Sequence, residues 1–177
     1  MMKRTLTTLL TLAALFTSLA TADEAAKKAF SFDYEGQTYS FATQAERDRF
    51  EKKVTGSLYH QIGGKAAVDA AVDLFYTKVL ADDKVNFFFD DVNMKRQHSK
   101  QKAFLSAAFG SPVPYEGKDM RTAHAQLDLT EAHFAAIAGH LQATLTELKL
   151  DQALIDQIMA IAASTKDDVL NKPKAGE

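Results

Sequence analysis

The sequence predicts an all-α protein with a small β appendage near its start. Three observations carry that expectation. From Ser57 onward, apolar residues recur at three- and four-residue intervals, the spacing of one helix face. The breaks between these segments fall at Gly63-Gly64, at Asp82-Asp83 and at Gly110-Ser111-Pro112-Val113-Pro114, all residues that interrupt helix. Strict two-residue alternation, the strand signal, is confined to residues 30–41.

In chain order, residues 1–22 read as a secretory signal peptide. Lys3 and Arg4 supply the positive end, Leu6 to Leu19 an apolar stretch, and Ala20-Thr21-Ala22 a small-residue cleavage site. The stretch is short for a membrane span, so the expected destination is the periplasm or the exterior, with no span left after cleavage. Residues 23–29 read as a charged, unstructured start to the mature chain. Phe30, Phe32 and Tyr34, then Tyr39 and Phe41, alternate with polar residues across a Glu35-Gly36 turn, which predicts a β-hairpin. Thr43 and Glu46 form a capping box for a short helix to about Lys53.

Leu58 to Ile62 makes a one-turn opener, closed by Gly63-Gly64. A helix over 65–80 carries Val68, Val72, Phe75 and Val79 on one stripe, with Tyr76 beside Phe75. Val85 to Phe89 is a short aromatic run. Asn93 is a good N-cap for a helix to Phe109, whose one face carries Met94, Gln97, Gln101, Phe104, Leu105 and Ala108. Residues 110–118 read as an irregular loop, and Met120 to Leu127 as a further helical stretch. Thr130 and Asp151 cap two last helices. The first buries Phe134, Ile137, Leu141 and Leu145; the second buries Leu154, Ile155, Ile158 and Ile161.

Composition excludes several chemistries. There is no Cys, hence no disulfide, thiolate nucleophile, iron–sulfur cluster or thioether attachment of haem. Removing Lys3 and Arg4 from the 21 basic residues leaves 19 against 23 acidic ones, a net charge of −4. That balance argues against nucleic acid as the partner.

Polar side chains stand where apolar ones are expected. Gln97 and Gln101 interrupt a core-facing stripe, and buried amides cost stability unless something needs their hydrogen bonds. The Tyr76 hydroxyl also requires a partner. His124 lies one turn after Met120 in an apolar helical setting, and neutral imidazole suits iron. Alone, His124 reads as a satisfied core histidine. An imidazole, a phenol and two amides converging on one interior point instead to a bound polar centre, and iron carrying a diatomic ligand fits that set. His133 and His140 lie seven apart, too far for a zinc pair, and His60 sits in the opening turn; these three read as solvated.

Two resemblances follow. The strand–turn–strand–helix with Tyr34, Gly36, Tyr39, Phe41 and Phe50 resembles the small YHS module, whose members often carry metal-binding cysteines that this copy lacks. Residues 57–172 resemble the group I truncated haemoglobins. The match runs through Leu58-Tyr59, Gly63-Gly64, Ala67-Val68-Asp69, Val72-Asp73-Leu74-Phe75-Tyr76, Phe88-Phe89 and Asp91-Val92-Asn93-Met94. It continues through Gln97, Gln101-Lys102-Ala103-Phe104-Leu105, Met120-Arg121-Thr122-Ala123-His124 and Asp168-Val169-Leu170-Asn171. The expected division is signal peptide 1–22, YHS-like segment 23–56, truncated globin domain 57–172 and tail 173–177.

The resemblance implies a two-over-two globin helical sandwich around non-covalently bound haem b. It implies His124 as the proximal iron ligand, Tyr76 as the distal tyrosine, and Gln97 and Gln101 as completing its hydrogen-bond network. Phe75, Phe89 and Met120 are implied contacts to the porphyrin faces. Lys100 matches a position that ligates iron in some members. A lysine does so only as the free amine, and the competing placement sets its ammonium near a haem propionate. Thr165 stands near where some relatives bond a histidine to a haem vinyl, so no such bond is expected. Gly110-Ser111 replaces the second glycine pair, which implies a less compliant loop.

The expected function is binding of dioxygen and other diatomic gases (O2, NO, CO). Nitric oxide dioxygenation is its expected chemistry: nitric oxide and dioxygen are consumed, nitrate is released, and an external reductase restores the iron. The alternative is a six-coordinate electron carrier or redox and gas sensor with Lys100 as distal ligand. A third class is a haem-free interaction module that binds through the hairpin segment.

Overall fold

The computed structural model describes residues 30–173; the expected signal peptide, residues 23–29 and the chain beyond 173 lie outside the described residues. The chain divides between Lys53 and Val54 into two compact units. In the first, β1 (Ser31–Tyr34) and β2 (Gln37–Ser40) pair antiparallel with Phe32 opposite Tyr39. Glu35 and Gly36 take φ of 50° and 78°, the two-residue turn whose twist matches that of the strands. α1 (Gln44–Thr55) begins with the expected reciprocal cap. The Glu46 N–H donates to Thr43 Oγ1 at 3.2 Å, and the Glu46 carboxylate accepts the Thr43 N–H at 3.2 Å. Phe50 meets the rings of Phe32, Tyr39 and Phe41 at 6.1, 4.6 and 5.0 Å between centres, giving hairpin and helix a shared aromatic core.

The second unit is helical. α2 (Leu58–Gln61) is capped by Ser57, whose hydroxyl accepts the His60 N–H at 3.1 Å. Gly63 and Gly64, with φ of 105° and 65°, turn the chain into α3 (Gly64–Leu80). The expected stripe holds: Val68, Val72, Phe75, Tyr76 and Val79 are all buried. After a 3-10 turn over Asn86–Phe89 comes α4 (Met94–Ala108), capped by the Asn93 side chain on the Arg96 N–H at 3.0 Å. Its end is a left-handed closure at Gly110, φ 95°. There the Gly110 N–H reaches Ala107 O at 3.0 Å and the Ser111 N–H reaches Ser106 O at 2.9 Å.

α5 (Met120–His124) is only five residues, capped by Asp119 on the Thr122 N–H at 2.9 Å. The stretch expected to reach Leu127 stops at His124, because residues 125–128 are exposed and Asp128 turns to φ 48°. α6 (Glu131–Glu147) opens on a capping box in which His133, not an acid or amide, returns the bond to Thr130. α7 (Gln152–Ser164) and α8 (Lys166–Val169) complete the unit. Asp151 stands at the start of α7 without a side-chain cap bond; its backbone carbonyl takes the Leu154 and Ile155 N–H groups at 2.9 and 3.1 Å.

The fold is the expected truncated globin sandwich: α3 packs on α4, α6 on α7, and the two layers meet through α3 and α6. α5 packs on α8. Three expected faces differ in detail; on α7, Ile155 and Ile158 are buried whereas Leu154 and Ile161 are half-buried. Ala108 is exposed, since the closure of α4 sends Phe109 into the core in its place. On α6, Leu145 is fully buried, whereas Phe134, Ile137 and Leu141 are half-buried. No described helix is long and apolar enough to cross a membrane.

Candidate functional site

Tyr76 sits three-quarters of the way along α3 and is 3% exposed, because it extends the valine stripe by one position into the α3–α4 seam. Gln97 lies one turn into α4, facing it. Gln97 Nε2 donates to Tyr76 Oη at 3.0 Å. With its oxygen accepting from the amide, the phenol keeps its own hydrogen for another acceptor. Burial pushes the Tyr76 pKa above the ordinary phenol value, against a smaller pull downward from Gln97. The hydroxyl is therefore a protonated donor at neutral pH.

Three rings enclose that phenol. Phe75 and Phe89 meet it edge-on at 5.2 and 5.7 Å, and His98 lies nearly parallel at 4.6 Å and 20°. His98 Nδ1 is 2.8 Å from Asp73 Oδ1, and Lys102 Nζ lies 2.9 Å from the same oxygen. Lys102 reaches Asp69 as well, at 3.7 Å. The Lys102 hydrogen bond first, then that of His98, holds the Asp73 carboxyl below the usual carboxylate range. Sequence reasoning passed over His98. The signal was present: acids four apart on α3 (Asp69, Asp73) oppose basic side chains four apart on α4 (His98, Lys102).

His124 ends α5 and is half-buried. Its Nδ1 lies 2.7 Å from Met120 O. A carbonyl only accepts, so Nδ1 carries a proton, and in the neutral imidazole Nε2 presents the lone pair. Arg121 ties this short helix to α8 through Asp168, with Nη2–Oδ1 at 2.9 Å and Nε–Oδ1 at 3.1 Å.

The structure thus joins Tyr76, Gln97, Phe75 and Phe89 directly. Gln101 is half-buried one turn beyond Gln97, and among the described residues no hydrogen bond links it to the pair. Lys100 is exposed. Met120 is half-buried and enters through its carbonyl. Two of the histidines expected to be solvated are engaged instead. His133 accepts the Thr130 N–H and packs against Phe87 and Phe88, while His140 Nε2 meets Asp82 Oδ2 at 2.7 Å. Both are half-buried because α6 packs its flank against neighbouring chain; His60 is exposed. Between the layers lies an apolar recess of about 230 Å3, lined by residues that include Val68, Ala71, Leu105, Phe109, Leu145 and Ile158.

The sequence profile of the Bacterial-like globin family matches residues 57–171. A group 1 truncated haemoglobin of Chlamydomonas moewusii is 50% identical over 125 residues, 70% of this chain and 73% of that protein. One from Synechocystis is 46% identical over 122 residues, 66% of this chain and 98% of that protein. The chain belongs to the group 1 truncated haemoglobins. Among solved structures, this globin superposes on the 2/2 haemoglobin of Synechococcus, a structure with covalently attached haem. The TM-score is 0.64 at 48% identity, covering 66% of this chain and 99% of that one. The truncated haemoglobin of Tetrahymena pyriformis gives 0.62 at 41% identity, covering 64% and 97%. Its solved forms include variants at one tyrosine and at two glutamines that lie 21 and 25 residues further on.

Proposed function

We propose that the globin unit holds haem b non-covalently through His124 and presents Tyr76 as hydrogen-bond donor to a diatomic gas. The residues present fit that group. His124 offers a single imidazole, and a porphyrin iron can take one ligand from the chain because it brings others with it. The His124 tautomer offers Nε2, and the α4 stripe of Met94, Gln97, Gln101, Phe104 and Leu105 offers a half-buried wall. When bound, haem supplies a reducible iron that takes up dioxygen, carbon monoxide or nitric oxide.

The chain's own contribution is a protonated phenol in a dry seam. The observation that carries the reading is the direction of one hydrogen bond: Gln97 donates to Tyr76, which leaves the phenolic hydrogen for a gas ligand that gains negative charge. Gln97 and Gln101 stand 21 and 25 residues after Tyr76, the spacing of the varied tyrosine and glutamines in the Tetrahymena protein. Gln101 is a second donor to the same space. Phe75, Phe89 and Met120 supply apolar contact. The apolar recess can store an uncharged diatomic without competing for hydrogen bonds.

A Soret band in protein purified with haem supplied, lost in His124→Ala, tests the cofactor assignment. Acidified organic solvent should extract the haem completely, since Thr165 is no alkylatable imidazole. Nitric oxide dioxygenation with an external reductant is the enzymatic form of the reading. Stoichiometric nitrate from nitric oxide added to the dioxygen-loaded protein supports it; nitrite or no product rejects it. Exposure of Lys100 supports its ammonium lying near a haem propionate. A low-spin ferric spectrum at high pH that vanishes in Lys100→Ala would support iron ligation instead. The signal-like residues 1–22 support export, and a mature form beginning at Asp23 by mass spectrometry is the expected result.

A further inference from the structure

We propose that His98 is a positioning residue for Tyr76: its ring, pinned by Asp73, sets the plane of the phenol and so the direction in which the hydroxyl donates. The inference rests on the reading of Tyr76 as the distal donor. Gln97 anchors the hydroxyl at one point, 3.0 Å away. One point leaves the ring able to turn about its Cβ–Cγ axis. Phe75 and Phe89 touch the phenol edge-on, at interplanar angles of 68° and 79°. Such contacts limit where the ring can move. His98 lies against the flat face at 20°, and among the described rings it is the one nearly parallel to Tyr76. A ring stacked on the face opposes rotation.

The brace itself is held. Nδ1 of His98 meets Asp73 Oδ1 at 2.8 Å, and Lys102 Nζ secures that carboxylate at 2.9 Å. Asp73 precedes Tyr76 by three residues on α3, while His98 follows Gln97 directly on α4. The same two helices therefore fix the phenol twice, at its oxygen and at its face. The His98 side chain is 27% exposed, and a ring or an aliphatic chain of similar bulk can take its place in the seam.

The test uses the full chain loaded with haem, reduced, with carbon monoxide as probe. The C–O stretching band in the infrared reports the donor above the ligand, and dioxygen dissociation is timed in parallel. His98→Ala is expected to broaden or split the band toward its Tyr76→Phe position and to speed dioxygen loss about two- to tenfold. His98→Phe keeps a flat ring and is expected to restore most of the wild-type band, whereas His98→Leu, of similar bulk without a face, is not. Equal bands in the Phe and Leu variants, or a wild-type band in His98→Ala while Tyr76→Phe shifts it, overturn the brace and leave the role of Tyr76 standing. A band that Tyr76→Phe fails to move overturns both readings.

Discussion

The two walls of the proposed site hold their key residues by different means. On the distal wall, Tyr76 and Gln97 ride on helices of 17 and 15 residues, and burial of the α3 stripe puts the phenol in place. On the proximal wall, His124 ends a helix of five residues. So short a helix has almost no stability of its own. Polar contacts hold it: the Asp119 cap, the Met120 carbonyl on His124, and the Arg121–Asp168 pair to α8. Packing secures the proposed donor, whereas a few directional bonds secure the proposed ligand.

The largest expected effect lies on the proximal side. His124→Ala should abolish haem retention, read as loss of the Soret band after gel filtration; a band of unchanged intensity and axial ligation would defeat the ligand assignment. Next comes the distal donor. Tyr76→Phe removes a hydrogen bond to a charged group, worth about 1.5–3 kcal/mol, so dioxygen dissociation should quicken by roughly one to two decades in stopped flow. A change below about twofold would sink the distal assignment. Asp168→Ala cuts the strap between α5 and α8. Because the pair is partly exposed, about 0.2–1 kcal/mol is at stake, and haem transfer to an excess acceptor should speed up only about two- to fivefold. A larger acceleration would mean that the proximal wall depends on this pair more than its exposure suggests.

The smallest effect concerns acid stability. The carboxyls of Asp73, Asp82 and Glu131 are held below their ordinary range: by Lys102 and then His98, by the Lys84 N–H and then His140, and by Lys166 and then Lys172. As pH falls, the unfolded chain takes up these protons before the folded one. Their stabilisation is therefore complete above the ordinary carboxylate pKa of about 4 and is lost as pH falls through the lowered values. Urea midpoints should be flat from about pH 7 to 5 and drop below about 4, with a shallower drop in Asp73→Asn. An identical acid limb in that variant would show that the distal brace adds nothing to folding.

Much of this was legible because local rules and tertiary packing agree. The hairpin turn at Glu35-Gly36, the Thr43 and Asn93 caps, the glycine corner at 63–64 and the α3 stripe each follow from a few neighbouring residues. The shortened α5 was not legible, since Leu127 continues the helical spacing and only its exposure shows that nothing packs there. Asp151 has the right residue type for a cap, yet its carboxylate leaves the bond unmade. His98, His133 and His140 escaped because their partners lie on other elements or invert the usual role, as when an imidazole takes the place of an acid in the Thr130 box. The pairing of His140 with Asp82, 58 residues away, carries no periodic trace, whereas that of His98 with Asp73 left one in the matched four-residue spacings on α3 and α4.

Residue 54 bears on any attempt to cut the protein down. Val54 is 1% exposed, and its carbonyl accepts the Ser57 hydroxyl at 2.6 Å, the same hydroxyl that caps α2. The sequence profile of the family starts at 57, yet the last turn of α1 already belongs to the second unit. A minimal fragment should thus begin no later than Lys53; one trimmed to the homology boundary would start on a stripped helix end.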